Sequence, residues 1–113
     1  KVNNSELTEL MKKGVPVVDI RRANEWADTG VIDNSYLLTF FDKDGKYNID
    51  LWLSKLDKLI DVNKPFIIIC RSGRRSGSVA KFLDEQFNYE KVYDATNGMV
   101  SWINAKNKTI KLN

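Results

Sequence analysis

The chain has 113 residues, a net charge of +3, a single cysteine and no histidine. One domain of that length buries roughly 65% of the surface its unfolded chain exposes, so a core can stand without staples. A lone Cys excludes an internal disulfide, a CxxC redox pair and a cysteine-rich zinc site, while the lack of His excludes Ser-His-Asp and Cys-His catalysis and removes the commonest transition-metal ligand.

Residues 5–13 read as a helix with Ser5 as N-cap, Leu7, Leu10 and Met11 on one face, and Gly14 closing it. Pro16 to Ile20 is a short apolar run suited to a buried parallel strand. Ala23 to Ala27 fits one or two helical turns stopped near Gly30. Tyr36 to Phe41 is a second strand candidate, followed by the turn Asp42-Lys43-Asp44-Gly45. Between 49 and 60, Ile49, Trp52, Leu53, Leu56, Leu59 and Ile60 fall on one helical stripe, which reads as core packing. Pro65 opens Phe66-Ile67-Ile68-Ile69, a β-branched run expected at the centre of a sheet. Val79, Phe82, Leu83 and Phe87 mark a further helix, Val92-Tyr93 a last strand, Asn97-Gly98 a turn, and Met99 to Ile103 a terminal helical segment with Trp102 in the core. Among the other aromatics, Trp26, Phe40 and Phe41 serve either a pocket wall or the core. Lys106 to Lys111 reads as a solvated or frayed tail.

Strands alternating with helices imply parallel pairing through crossovers. The expected architecture is a single α/β domain over residues 1–113, an open, mainly parallel sheet with helices on both faces. Ligands of such sheets bind beyond the carboxyl ends of the strands, where Cys70 follows the most apolar run.

The 13 lysines are scattered among acidic residues, whereas three of the five arginines (Arg71, Arg74, Arg75) crowd beside Cys70. That distribution favours a small-anion site over a nucleic-acid face, which needs basic residues spread along a surface. Gly73 is free to take positive φ and turn backbone N–H groups inward as an anion-binding nest. Ser76 reads as the N-cap of the next helix, so its positive end faces the same place. With the guanidinium groups, these features favour Cys70 as a thiolate nucleophile that needs no histidine base. Asp19 and Arg21, closing the first strand, are read either as a solvated ion pair or turn cap or as supports of this loop, and not as catalytic groups. No metal ligand set is expected. The apolar runs are too short to span a bilayer. The chain begins at Lys1 without an initiator Met, so an N-terminal segment is expected to have been removed. A soluble protein is expected, of the cytoplasm or, after loss of a signal, of the periplasm.

Cys70-Arg71-Ser72-Gly73-Arg74-Arg75 resembles the six-residue active-site loop of the rhodanese-like sulfurtransferases, with the persulfide-bearing cysteine first. Arg71-x-Gly73-x-Arg75 is similar to the version associated with thiosulfate, whereas the mercaptopyruvate version tends to have Gly directly after the cysteine. Val17-Val18-Asp19-Ile20-Arg21 with Glu25-Trp26 is similar to the family's first strand and following helix. Val92-Tyr93-Asp94 through Asn97-Gly98-Met99 and Trp102 is similar to its last strand, glycine turn and terminal helix. Two departures stand out: Gly30-Val31-Ile32-Asp33-Asn34-Ser35 lacks the histidine and second glycine of the family's Gly-His-Ile-x-Gly-Ala, and Asn97-Gly98 replaces a glycine pair. The resemblance implies that Cys70 takes sulfur from thiosulfate, releases sulfite and passes the sulfur to cyanide, a thiol or a protein acceptor. The resemblance also implies an open, mainly parallel five-stranded sheet with helices on both faces, and no cofactor beyond the persulfide itself. Arg71 and Arg75 would hold the sulfonate, with Ser72, Gly73, Arg74 and Ser76 completing the loop. The alternatives are a catalytically idle interaction module of the same fold, and a cysteine phosphatase or arsenate reductase. The latter's loops place Arg six positions after Cys, where this chain has Ser76.

Overall fold

The computed structural model describes residues 1–89 and 91–112. In chain order the elements are α1 (Asn4–Lys12), β1 (Val17–Asp19), α2 (Ala23–Thr29), β2 (Tyr36–Leu37), α3 (Ile49–Leu59), β3 (Phe66–Ile69), α4 (Arg74–Phe87), β4 (Val92–Asp94) and α5 (Gly98–Asn104). The strands form one parallel sheet in the order β2-β1-β3-β4, in register through Val18↔Tyr36, Val18↔Ile68 and Ile68↔Asp94.

The sheet has four strands among the described residues, not the five expected. At the β4 edge Val2 alone among the described residues pairs further: its N–H donates to the Asp94 carbonyl and its carbonyl accepts from the Thr96 N–H, each at 2.8 Å, as an isolated parallel bridge to Ala95. Asn3 immediately turns into α1, so this pairing cannot extend into a strand.

Alternation along β3 divides the core in two. Phe66, Ile68 and Cys70 join Val18, Trp52, Leu56, Val79 and Leu83 on the face covered by α3 and α4. Ile67 and Ile69 join Leu7, Val17, Met99 and Trp102 on the face covered by α1 and α5. The α3 stripe packs as expected at Trp52 and Leu56, but Leu59, at its edge, is 41% exposed. Trp102 is buried and donates its indole N–H to the Lys108 carbonyl at 3.0 Å.

Three local expectations are corrected. Asn3, not Ser5, caps α1: its side chain accepts from the Glu6 N–H, and the Glu6 carboxylate accepts from the Asn3 N–H, a reciprocal capping box. Gly73, not Ser76, caps α4, because a left-handed residue at φ +93° ends the loop and leaves Ser76 in the first turn. The lysine-rich tail is tied down rather than frayed: Val31 and Ile110 exchange two backbone hydrogen bonds of 2.9 and 2.8 Å. Among the described residues no helix is long and apolar enough to cross a membrane.

Candidate active site

Cys70 leaves the carboxyl end of β3 and the chain turns at once into α4. The turn is held from below by the start of α5, where the N–H groups of Met99 and Val100 donate to the carbonyls of Cys70 and Arg71 at 2.8 and 2.9 Å. Only glycine fits at 98. It has φ +56°, and a Cβ there would lie 2.4 Å from the Cys70 carbonyl oxygen and 2.7 Å from that of Arg71. Gly73 is constrained in the same way, since its Cβ would lie 2.9 Å from the Asn97 nitrogen. The Asn97-Gly98 turn and the Cys70 loop are therefore one interlocked unit.

Within the loop the Cys70 sulfur accepts the Gly73 N–H at 3.1 Å and the Ser76 N–H at 3.3 Å. The second donor belongs to the first turn of α4, so the sulfur sits at the positive end of a 14-residue helix. Ser76 also lies with its hydroxyl oxygen 3.3 Å from the sulfur, and that hydroxyl donates to the Asp94 carboxylate at 2.5 Å. Asp94 is a participant that sequence reading missed. Its only signal was a carboxylate closing an apolar strand.

The loop does not present its sulfur to a cavity, as its position at a strand end suggested. Cys70 is 1% exposed, enclosed by its own loop and by the core face that holds Val79. Beside it opens a cleft of about 1080 Å³ between α2, the 41–45 turn and α5, walled by Arg71, Arg75, Glu25, Phe41, Val100 and Ile103 among others. Arg71 and Arg75 thus reach the cleft, whereas Ser72 and Arg74 do not line it. Of the aromatics considered, Phe41 is on the cleft wall and Phe40 is in the core.

The two arginines differ in state. Arg75 makes a two-pronged ion pair with Glu25, at 2.8 and 2.7 Å. Its guanidinium holds the Glu25 carboxyl below the usual glutamate value against the opposing push of burial, and the Arg22 N–H assists; the same bonds raise the value of Arg75. Arg71 is exposed and has no carboxylate partner among the described residues. Asp19 and Arg21 form an ion pair at the end of β1 that is fully buried and not solvated as expected, because Arg21 also donates to Thr29 and to the Gly30 carbonyl beneath the end of α2. The pair fastens β1 to the end of α2 and does not touch the sulfur.

A parallel sheet whose central strand ends in a cysteine-first loop, locked by a glycine turn before the last helix, defines the class of domain. The profile of the rhodanese-like domain family matches residues 3–105, and the chain belongs to that family. YtwF of Bacillus subtilis (strain 168), whose name carries a provisional assignment as a sulfurtransferase, is 44% identical over 43 residues. That match spans 38% of this chain and 40% of YtwF. Among solved structures, a rhodanese-related protein from Thermoplasma volcanium superposes with a TM-score of 0.73 at 24% identity, covering 97% of this chain and 96% of its own. RPA3614 from Rhodopseudomonas palustris, described as a protein of unknown function and possible tyrosine phosphatase, superposes with a TM-score of 0.71 at 24% identity, covering 97% and 83%. At such identities the likeness is one of fold.

Proposed function

We propose that the protein is a sulfurtransferase of the thiosulfate type that carries sulfane sulfur as a persulfide on Cys70. The observation that carries this reading is the pair of backbone N–H groups, from Gly73 and Ser76, aimed at one sulfur. They complement a negative charge there without a histidine. In the first half-reaction the Cys70 thiolate attacks the outer sulfur of thiosulfate. A Cys70 S–S bond forms, the S–S bond of thiosulfate breaks, and its electron pair leaves with sulfite. In the second, cyanide or a thiolate attacks the outer persulfide sulfur, and Cys70 leaves as thiolate. Arg71, exposed on the cleft wall next to Cys70 and without a carboxylate partner among the described residues, is a cation placed to hold the sulfonate; Arg75 becomes available only if it releases Glu25. Because Cys70 is 1% exposed, the loop or the cleft wall moves before sulfur meets sulfur.

A phosphatase reading is weaker on the same geometry. The position six residues after Cys70, where phosphatase loops carry their phosphate-binding Arg, holds Ser76, whose hydroxyl is directed to Asp94. The test is intact mass after thiosulfate treatment. One added sulfur atom, removed by cyanide and absent in Cys70→Ser, is the expected result. No added sulfur overturns the reading in favour of an idle module, and Cys70-dependent hydrolysis of a phosphate ester overturns it in favour of a phosphatase.

A further inference from the structure

Ser76 stands between two groups that compete for its one proton. The hydroxyl donates to Asp94 Oδ1 at 2.5 Å, and that leaves only lone pairs facing Cys70 Sγ, 3.3 Å away. In this arrangement the sulfur must be the donor, as S–H to Oγ. An anionic sulfur would instead need the hydroxyl proton for itself, and Asp94 would lose its donor.

Asp94 depends on that donor. The residue is 5% exposed, and no Lys or Arg pairs with it among the described residues. Even Gly77 fits this arrangement. A residue poorly suited to a helix sits in the first turns of α4, and a Cβ there would crowd Asp94 Oδ2 at 3.2 Å. The space left by Gly77 admits the carboxylate beside Ser76. The chain Cys70–Ser76–Asp94 thus joins the end of β3, the first turn of α4 and the end of β4.

We propose that Asp94 is a positioning residue that, by claiming the Ser76 hydroxyl proton, holds resting Cys70 as a thiol. The inference deepens the sulfurtransferase reading and takes Cys70 as its nucleophile. When sulfur becomes anionic, the Ser76 hydroxyl turns to it and joins the Gly73 and Ser76 N–H groups as a third donor. Asp94 sets the cost of that turn and never contacts the sulfur. Of the other charged groups nearby, Arg75 faces Cys70, with Glu25 bound to it and Asp19 bound to Arg21 behind them, while Arg71, next in the chain, is exposed on the cleft wall.

The test is the pH titration of the thiolate's ultraviolet absorbance, referenced to Cys70→Ser, in the full chain. Asp94→Asn offers its amide N–H to Ser76 Oγ and frees the hydroxyl proton for sulfur. The ionisation midpoint of Cys70 is expected to fall by about one pH unit. In a Ser76→Ala background the same Asp94→Asn change is expected to move the midpoint by less than half as much, because its route is gone. An unchanged or raised midpoint overturns the proposal, as does an equal shift in both backgrounds, which a through-space charge effect alone gives. Ser76→Ala, a small change inside a helix, supplies the comparison if Asp94→Asn folds poorly: it removes the acceptor, and its own titration must then differ from that of the parent. An unmoved midpoint there also overturns the proposal. The titration uses no sulfur donor, so it separates the two readings. A protein that titrates as expected but takes up no sulfur sinks the sulfurtransferase reading alone.

Discussion

Arg75 Nη1 donates to Glu25 Oε1 and Nη2 to Oε2, so the first turn of α4 is latched to α2 across the cleft wall. Charge-assisted, forked and only partly exposed, such a pair contributes about 1–2 kcal/mol. Because Glu25 binds its proton more weakly folded than unfolded, the unfolded chain takes up more protons on acidification. The stabilisation is therefore complete above the ordinary glutamate value of 4.5 and is lost as pH falls through the lower folded value. Glu25→Gln is expected to lower stability by about that amount at neutral pH and to flatten the acid limb of a plot of unfolding free energy against pH. An acid limb as steep as the parent's would refute the latch.

Arg71 is the guanidinium on the cleft without a carboxylate partner among the described residues. If it holds the sulfonate, its loss weakens binding of thiosulfate and spares a neutral donor. Arg71→Ala is expected to raise the KM for thiosulfate about tenfold, the worth of a charge-assisted hydrogen bond, with little change for a small neutral sulfur donor. Steady-state rates with both donors decide it, and equal losses would remove Arg71 from the binding site.

The loop around Cys70 was legible because its signals are local. A β-branched strand, a cysteine, a glycine able to turn left-handed and three arginines occupy consecutive positions. What escaped the sequence lies between segments far apart in the chain. Glu25 meets Arg75 across 50 positions and Asp94 meets Ser76 across 18, and nothing in either segment announces its partner. The N-cap at Ser76 was misplaced because Ser76 is a good capping residue by type, yet a left-handed Gly73 starts the helix three residues earlier. The tail's lysines are solvated as their type suggests, Lys106, Lys108 and Lys111 all being exposed, but its backbone does not fray because Ile110 pairs with Val31 whatever the side chains do. The residues themselves offer four strand candidates, the fifth being implied by the family resemblance alone, and Val2 supplies one bridge at that edge before α1 begins.

Gly98 joins α5 to the loop by close approach, and Gly45 offers the contrast. Both have positive φ, +56° and +77°, but a Cβ on Gly45 meets nothing within 4 Å. Gly45→Ala is expected to cost about 1 kcal/mol, the backbone penalty alone. Gly98→Ala adds overlap with two carbonyls and is expected to cost roughly 3 kcal/mol or more, with loss of persulfide loading as the Met99 and Val100 hydrogen bonds are pushed off. Urea unfolding of the two variants side by side checks this. Equal losses would mean that the interlock contributes nothing.

By sequence Asp19 and Arg21 fit a solvated ion pair, a turn cap or a support of the reactive loop; their burial removes the solvated reading and separates the consequences of the others. Each side chain is 1% exposed, and Arg21 spends its donors on Asp19, Thr29 and the Gly30 carbonyl, none of which touches the Cys70 sulfur. Arg21→Leu leaves a buried carboxylate without its cation and is expected to cost about 3–5 kcal/mol. Replacing both residues removes the stranded charge, so Asp19→Leu with Arg21→Leu is expected to cost less than Arg21→Leu alone. Arg21→Lys keeps the charge but cannot reach all three partners, and it should unfold earlier while loading sulfur at the parent's rate per folded molecule. Chemical unfolding paired with a mass-spectrometric loading rate, corrected for the folded fraction, separates the roles. A slowed rate in fully folded Arg21→Lys would place the pair in the machinery of the loop instead of beneath it.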